Sequence, residues 1–150
     1  EPTAGGPDPH GHAGSMQVPT NRHAASDERF KSLSLQAERW LPLEEVSRAD
    51  LGDYLRARRT GGWTVVAVEQ ARGSVPLHEF DFTRRGEGMP IVLLLGAEKE
   101  GVPATLLSLV DACVEIPQAG LLRSLNVHVS CSLALWEITR QRLLHEQRHP

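Results

Sequence analysis

The chain has 150 residues, 40% of them hydrophobic, and a formal net charge of −3. That apolar content is enough for one substantial core and not for two, so a single folded domain is expected. The slightly acidic balance excludes nucleic-acid binding by bulk charge and leaves a local basic face as the route to RNA.

Residues 1–25 are rich in Gly, Pro, His, Ala and Ser with hardly any large apolar side chains, which predicts a disordered tail ahead of a folded domain over 26–150. His10 and His12 lie in that tail, where they lack the fixed geometry of a metal site. Asp27 and Glu28 suit a helix first turn, and Phe30, Leu33 and Ala37 recur at near-helical spacing, so a short helix is expected there. An extended segment over Trp40–Val46 follows. Ser47 and Asp50 then read as a capping pair for a helix to about Arg59, stopped by Gly61–Gly62. Trp63–Glu69 reads as a strand whose Thr64–Val68 run is too continuously apolar for a one-faced sheet, hence central and buried; Ile91–Leu95 is of the same kind. The intervening Arg72–Met89 is polar and marked by Pro and Gly, which predicts a loop with one short turn. Pro103 suits the first turn of a helix ending near Val110, before a strand over Ala112–Ile116. Strands alternating with helices imply a parallel α/β sheet.

Pro117 removes a ladder donor and ends the last strand, and Gly120 offers a bend. Ser124 is a suitable N-cap for an uninterrupted helix over Leu125 to about His145. A strand running through a loop into a helix N-terminus is where α/β proteins commonly hold nucleotides. An ordinary capped helix after an ordinary strand is the bland alternative. The helix itself is apolar nearly all round in its first half (Leu125, Val127, Val129, Cys131, Leu133, Ala134, Leu135, Trp136, Ile138), which predicts burial on more than one side. A sheet can cover one side and a second subunit the other. The two cysteines, Cys113 and Cys131, read as reduced core thiols that cannot by themselves bind zinc. No metal is expected. With no run of about 18 apolar residues and no signal-peptide pattern, the expected setting is intracellular, cytoplasmic or nuclear, and away from membranes.

The phrase Ile116-Pro-x-x-Gly-x-x-x-Ser124-Leu-Asn-Val-x-Val-Ser130 resembles the third motif of the SpoU/TrmH branch of the SPOUT methyltransferases, which are knotted RNA ribose 2'-O-methyltransferases. Leu93 to Pro103, a buried strand followed by Gly-x-Glu-x-x-Gly-x-Pro, is similar to that family's second motif and lies a short distance upstream. Within the family, Ser26–Leu43 and Arg123–Ser130 resemble most the C-terminal methyltransferase domain of vertebrate tRNA guanosine 2'-O-methyltransferases; the likeness covers roughly residues 26 to 145.

The resemblance implies a SPOUT-type parallel sheet with a C-terminal trefoil knot, S-adenosyl-L-methionine as cofactor, methyl transfer to the ribose 2'-OH of a tRNA guanosine, and a homodimer through the C-terminal helix. It implies cofactor contacts at Val68, Glu69, Gly96, Ile116, Ser124 and Leu125, with RNA contact at Arg123. Glu98 is expected to fix its loop through backbone amides, and Asn126 with Ser124 to orient the loop or the target ribose. The family's first motif, Asn-x-x-x-Arg, is not intact. Pro19-Thr20-Asn21 resembles its opening, but Arg22 stands at the wrong spacing and the chain passes straight into the Ser26 segment. The domain is therefore expected to lack its first strand-helix-strand unit, and the catalytic arginine role is carried onto no residue. A cofactor-binding, dimerising but inactive fragment is the alternative. A generic Rossmann-like nucleotide binder is disfavoured because no Gly-x-Gly-x-x-Gly follows a strand.

Overall fold

The computed structural model describes residues 16–17, 43–84, 88–97, 100–121 and 124–148. The chain divides into two compact units, Glu1–Tyr54 and Leu55–Pro150.

In the first unit, β1 (Met16–Gln17) pairs in parallel with β2 (Leu43–Glu44), Met16 opposite Leu43. Strand β1 lies inside the segment 1–25, whose other residues fall outside the described ones, as does the helix expected over 26–37. The Ser47–Asp50 cap is present. Ser47 Oγ accepts the Asp50 amide at 3.1 Å and donates to the Asp50 carboxylate, after which the Asp50 carbonyl accepts the Tyr54 amide. Helix α1 (Leu51–Thr60) follows directly.

In the second unit, α1 ends as the glycine pair predicts. Gly62 takes φ +87°, the Trp63 amide reaches the Arg58 carbonyl and the Gly62 amide reaches the Arg59 carbonyl. This double bond pattern needs a left-handed residue, which only glycine supplies cheaply. Strands β3 (Thr64–Val68), β4 (Val75–Pro76), β5 (Ile91–Leu95) and β6 (Ala112–Glu115) form one parallel sheet in the order β4-β6-β3-β5. Central β3 buries Val65, Val66 and Ala67 completely, as its unbroken apolar run requires.

Four expectations are corrected. Strand β5 is an edge of the described sheet, hydrogen-bonded on one side to β3 alone, so only its Leu94 is buried. Inside the expected loop over 72–89 lies β4, two residues long and ending in a proline that an outer strand tolerates. The helix after Pro103 is a single turn, α2 (Ala104–Leu107). The last helix, α3 (Val127–Arg148), starts two residues later than expected. Its cap is Asn126, whose Oδ1 accepts the His128 amide at 2.8 Å while its carbonyl accepts the Ser130 amide. Ser124 therefore stands outside the cap.

Helix α3 meets the core through Ala134 and Ile138, which cluster with Val66, Leu77, Phe82 and Val114. Gln141 extends that face: its Oε1 accepts the Phe82 amide and its Nε2 donates to the Phe80 carbonyl, both at 2.8 Å. Val129, Leu133, Trp136 and Leu143 lie on the far side and are exposed, Trp136 at 65%. Among the described residues, the all-round apolar coverage expected of this helix is thus buried on one side only. No helix among the described residues is long and apolar enough to cross a membrane. Cys113 and Cys131 are free and half-buried rather than deep in the core.

Candidate functional site

Because β3, β5 and β6 run in parallel, their carboxyl ends emerge together, and Glu69, Gly96 and Ile116 follow them directly. A cavity of about 520 Å³ opens there. All six residues singled out from sequence as cofactor contacts (Val68, Glu69, Gly96, Ile116, Ser124 and Leu125) lie in its wall. They come from three strand ends and the segment leading into α3, and are brought together from well-separated stretches of the chain. Arg123 and Glu98 lie outside the described residues. Asn126 is not part of the wall; its side chain is spent on the α3 cap. A Cβ on Gly120 would meet no atom within 4 Å, and its φ lies outside the left-handed region, so the bend there does not depend on glycine.

The loop after β5 is held tightly. Ala97 and Gly101 form an antiparallel bridge, the Gly101 amide donating to the Ala97 carbonyl at 2.8 Å and the Ala97 amide returning a bond at 3.2 Å. Gly101 takes φ +64°. Glu69 reaches across from the end of β3: its Oε2 accepts the Val102 amide at 2.8 Å and its Oε1 accepts the Gln70 amide at 3.1 Å. The Glu69 backbone is fixed as well, its amide bonded to the Val114 carbonyl and its carbonyl accepting the Cys113 thiol at 3.3 Å. Burial pushes the Cys113 thiol pKa up, and the Glu69 carboxylate pushes it further, so this sulfur stays protonated at neutral pH and is no nucleophile.

Further wall residues were not singled out by sequence: Gln70, Gly101, Val102, Gln118 and Ser130. For Gly101 and Val102 the signal at hand was the second glycine of the Gly-x-Glu-x-x-Gly-x-Pro phrase, and for Gln118 and Ser130 their place inside the third motif; for Gln70 there was none beyond adjacency to Glu69. Chemically the wall combines apolar side chains with backbone groups and two carboxylates, Glu69 and Glu100; among the described residues it contains no lysine or arginine. Such a concave site at strand carboxyl ends is suited to a mid-sized ligand held by main-chain bonds.

Comparison with known proteins gives the same lineage. The SpoU rRNA Methylase family matches over residues 12–136. The tRNA (guanosine(18)-2'-O)-methyltransferase TARBP1 of Mus musculus is 50% identical over 119 residues, covering 79% of this chain and 7% of that protein. The tRNA (guanosine(18)-2'-O)-methyltransferase of Thermus thermophilus is 34% identical over 114 residues, covering 76% of this chain and 55% of its own length. Among solved structures, the AdoMet-bound rRNA methyltransferase of Sinorhizobium meliloti superposes with a TM-score of 0.73 at 27% identity, over 87% of this chain and 47% of that one. The chain thus spans between a small fraction and about half the length of these relatives. Its two motifs, its parallel sheet and a family match over most of its length establish that this chain belongs to the SpoU rRNA Methylase family.

Proposed function

We propose that the chain binds S-adenosyl-L-methionine in the cavity at the ends of β3, β5 and β6 and belongs to an enzyme that methylates the ribose 2'-OH of a tRNA guanosine. The observation that carries this reading is the convergence of Val68, Glu69, Gly96, Ile116, Ser124 and Leu125 on one cavity. The fit is supported by volume, since about 520 Å³ lies within the usual range for small-molecule sites. It is supported by charge, since a wall carrying Glu69 and Glu100 favours a ligand with cationic groups. Bound there, the cofactor would supply a sulfonium methyl group as electrophile. Apolar Val68, Ile116 and Leu125 would flank its flat base, and main-chain groups at these positions would bond the base edge. Ser124, freed from capping, would be available to the ligand, and Arg123 would contact RNA. Asn126 would act indirectly, by fixing the start of α3.

The finer architecture belongs to the same reading: the sheet carries a C-terminal trefoil knot, and the domain lacks its first strand-helix-strand unit between Asn21 and Ser26. The folded domain is taken as 26–150 with a tail before it from which β1 (Met16–Gln17) pairs with β2, in an intracellular protein. A homodimer would bury the Val129, Leu133, Trp136 and Leu143 face of α3, an apolar surface of the kind that marks association. One specific observation favours the second reading, a binding but inactive fragment: Asn21 and Arg22 are adjacent, so the Asn-x-x-x-Arg spacing is absent. Methyl transfer requires the hydroxyl to be both aligned and activated, and binding alone supplies neither. Calorimetric titration with S-adenosyl-L-methionine, paired with transfer of labelled methyl to a tRNA transcript, separates the readings. Binding with transfer supports the enzyme, binding without transfer supports the fragment, and no binding sinks both.

A further inference from the structure

We infer that Glu69 is a positioning residue: its carboxylate latches the 96–102 loop onto the end of β3 and thereby shapes the cofactor cavity. The inference rests on the cofactor reading proposed above. A wall carboxylate could serve by touching the ligand or by holding the wall, and the bonding pattern favours the second. Oε2 is committed to the Val102 amide at 2.8 Å and Oε1 to the Gln70 amide at 3.1 Å. The two bonds join the residue after Glu69 to a residue 33 positions beyond Glu69 itself.

The glycines around it fit the same purpose. A Cβ on Gly101 would lie 2.6 Å from Glu69 Oε2, and one on Gly96 would lie 2.8 Å from the same oxygen. The Gly96 Cβ would also meet the Gly101 backbone, at 2.6 Å from its carbonyl carbon and 2.7 Å from its Cα. The loop therefore folds back on itself with glycine at both crossing points, and the carboxylate sits in the space their missing side chains leave. Gly101 has a second reason to be glycine, its φ of +64°. A hydrogen bond to a charged acceptor is among the stronger neutral-donor contacts in a protein. Losing it would leave the Val102 amide unpaired in a part-buried loop and allow the Ala97–Gly101 bridge to open. The wall formed by Gly96, Gly101 and Val102 would then lose its shape, although Glu69 need not touch the ligand.

The test combines amide hydrogen exchange with calorimetric titration of S-adenosyl-L-methionine on the whole chain. In Glu69→Ala, exchange at Val102 and Gly101 should speed up about tenfold or more, while the Val66 and Val114 amides keep their protection and the cofactor binds about tenfold or more weakly. In Glu69→Gln, which keeps an oxygen for Val102, both readouts should recover most of the way. Gly101→Ala and Glu69→Ala should be non-additive, because removing the carboxylate removes the clash that the new methyl creates; Gly96→Ala, which also meets backbone, should gain no such relief. Unchanged Val102 exchange in Glu69→Ala overturns the latch. Lost binding in Glu69→Gln with Val102 still protected also overturns it, since Glu69 would then act by touching the cofactor. Should the unsubstituted chain fail to bind S-adenosyl-L-methionine, the cofactor reading fails, and exchange at Val102 still decides the latch.

Discussion

The end of β3 and the outer face of α3 are opposite kinds of surface. At the end of β3, Glu69 is bonded through both carboxylate oxygens, its amide and its carbonyl, and two glycines are shaped to its presence. On the outer face of α3, Val129, Leu133, Trp136 and Leu143 expose apolar area to solvent. Internally satisfied polar groups specify one local conformation, because each alternative leaves a donor or acceptor unpaired. Exposed apolar residues specify none until something covers them. The first region should therefore respond to substitution in stability and binding, and the second in association.

The largest effect should come from the side of α3 that faces the core: Ile138→Ala removes a buried side chain from the Val66–Phe82 cluster and should cost about 2–5 kcal/mol in denaturant unfolding. Gly96→Ala should cost about 1–3 kcal/mol by forcing the 96–102 loop apart, and should weaken cofactor binding more than its stability loss alone explains. Asn126→Ala removes the α3 cap and should cost about 1 kcal/mol, whereas Ser124→Ala should leave stability nearly unchanged and alter ligand binding alone. Trp136→Lys should change unfolding of the isolated chain by less than about 0.5 kcal/mol while abolishing, in sedimentation analysis, the self-association proposed above. An association that survives Trp136→Lys would collapse the contrast between the two regions. A pH series adds a smaller sign test. Arg140 hydrogen-bonds the Glu137 carboxylate and holds its pKa below the ordinary range, so this pair stabilises the fold at neutral pH. That contribution should fade as pH falls below about 4 through the lowered folded-state value, and it should shrink in Arg140→Ala without vanishing, because Gln141 Nε2 still donates to the Glu137 carboxylate.

The strands were legible because unbroken apolar runs such as Thr64–Val68 and Ile91–Leu95 have few other ways to be buried. The stop of α1 was legible because two glycines after an arginine-rich turn leave one local geometry. Of the cavity-lining residues, Gly96, Ile116, Ser124 and Leu125 were legible through two motifs whose likeness to a family extends over whole phrases, and Val68 and Glu69 through their place at the end of a buried strand. What the sequence hid has physical causes. Strand β4 is two residues long, too short for any period to register. Ser124 and Asn126 are both good caps, and the choice between them is made by the segment before α3, where Ser124 is drawn into the cavity wall. The bonding of Glu69 links positions 69 and 102, a contact to which local spacing is blind.

At the opposite end of the sheet, Asp111 gathers three elements. Its Oδ2 accepts the Val65 amide at 2.9 Å, its Oδ1 meets the Arg59 guanidinium at 3.0 Å, and its own amide donates to the Val65 carbonyl. The end of α1, the start of β3 and the approach to β6 are thus fastened at the pole remote from the cavity. Fastening and ligand-holding are consequently separable along the strand axis: the amino-terminal pole can be reinforced or loosened to set how long the fold lasts, while the carboxyl-terminal pole keeps its shape for whatever it holds.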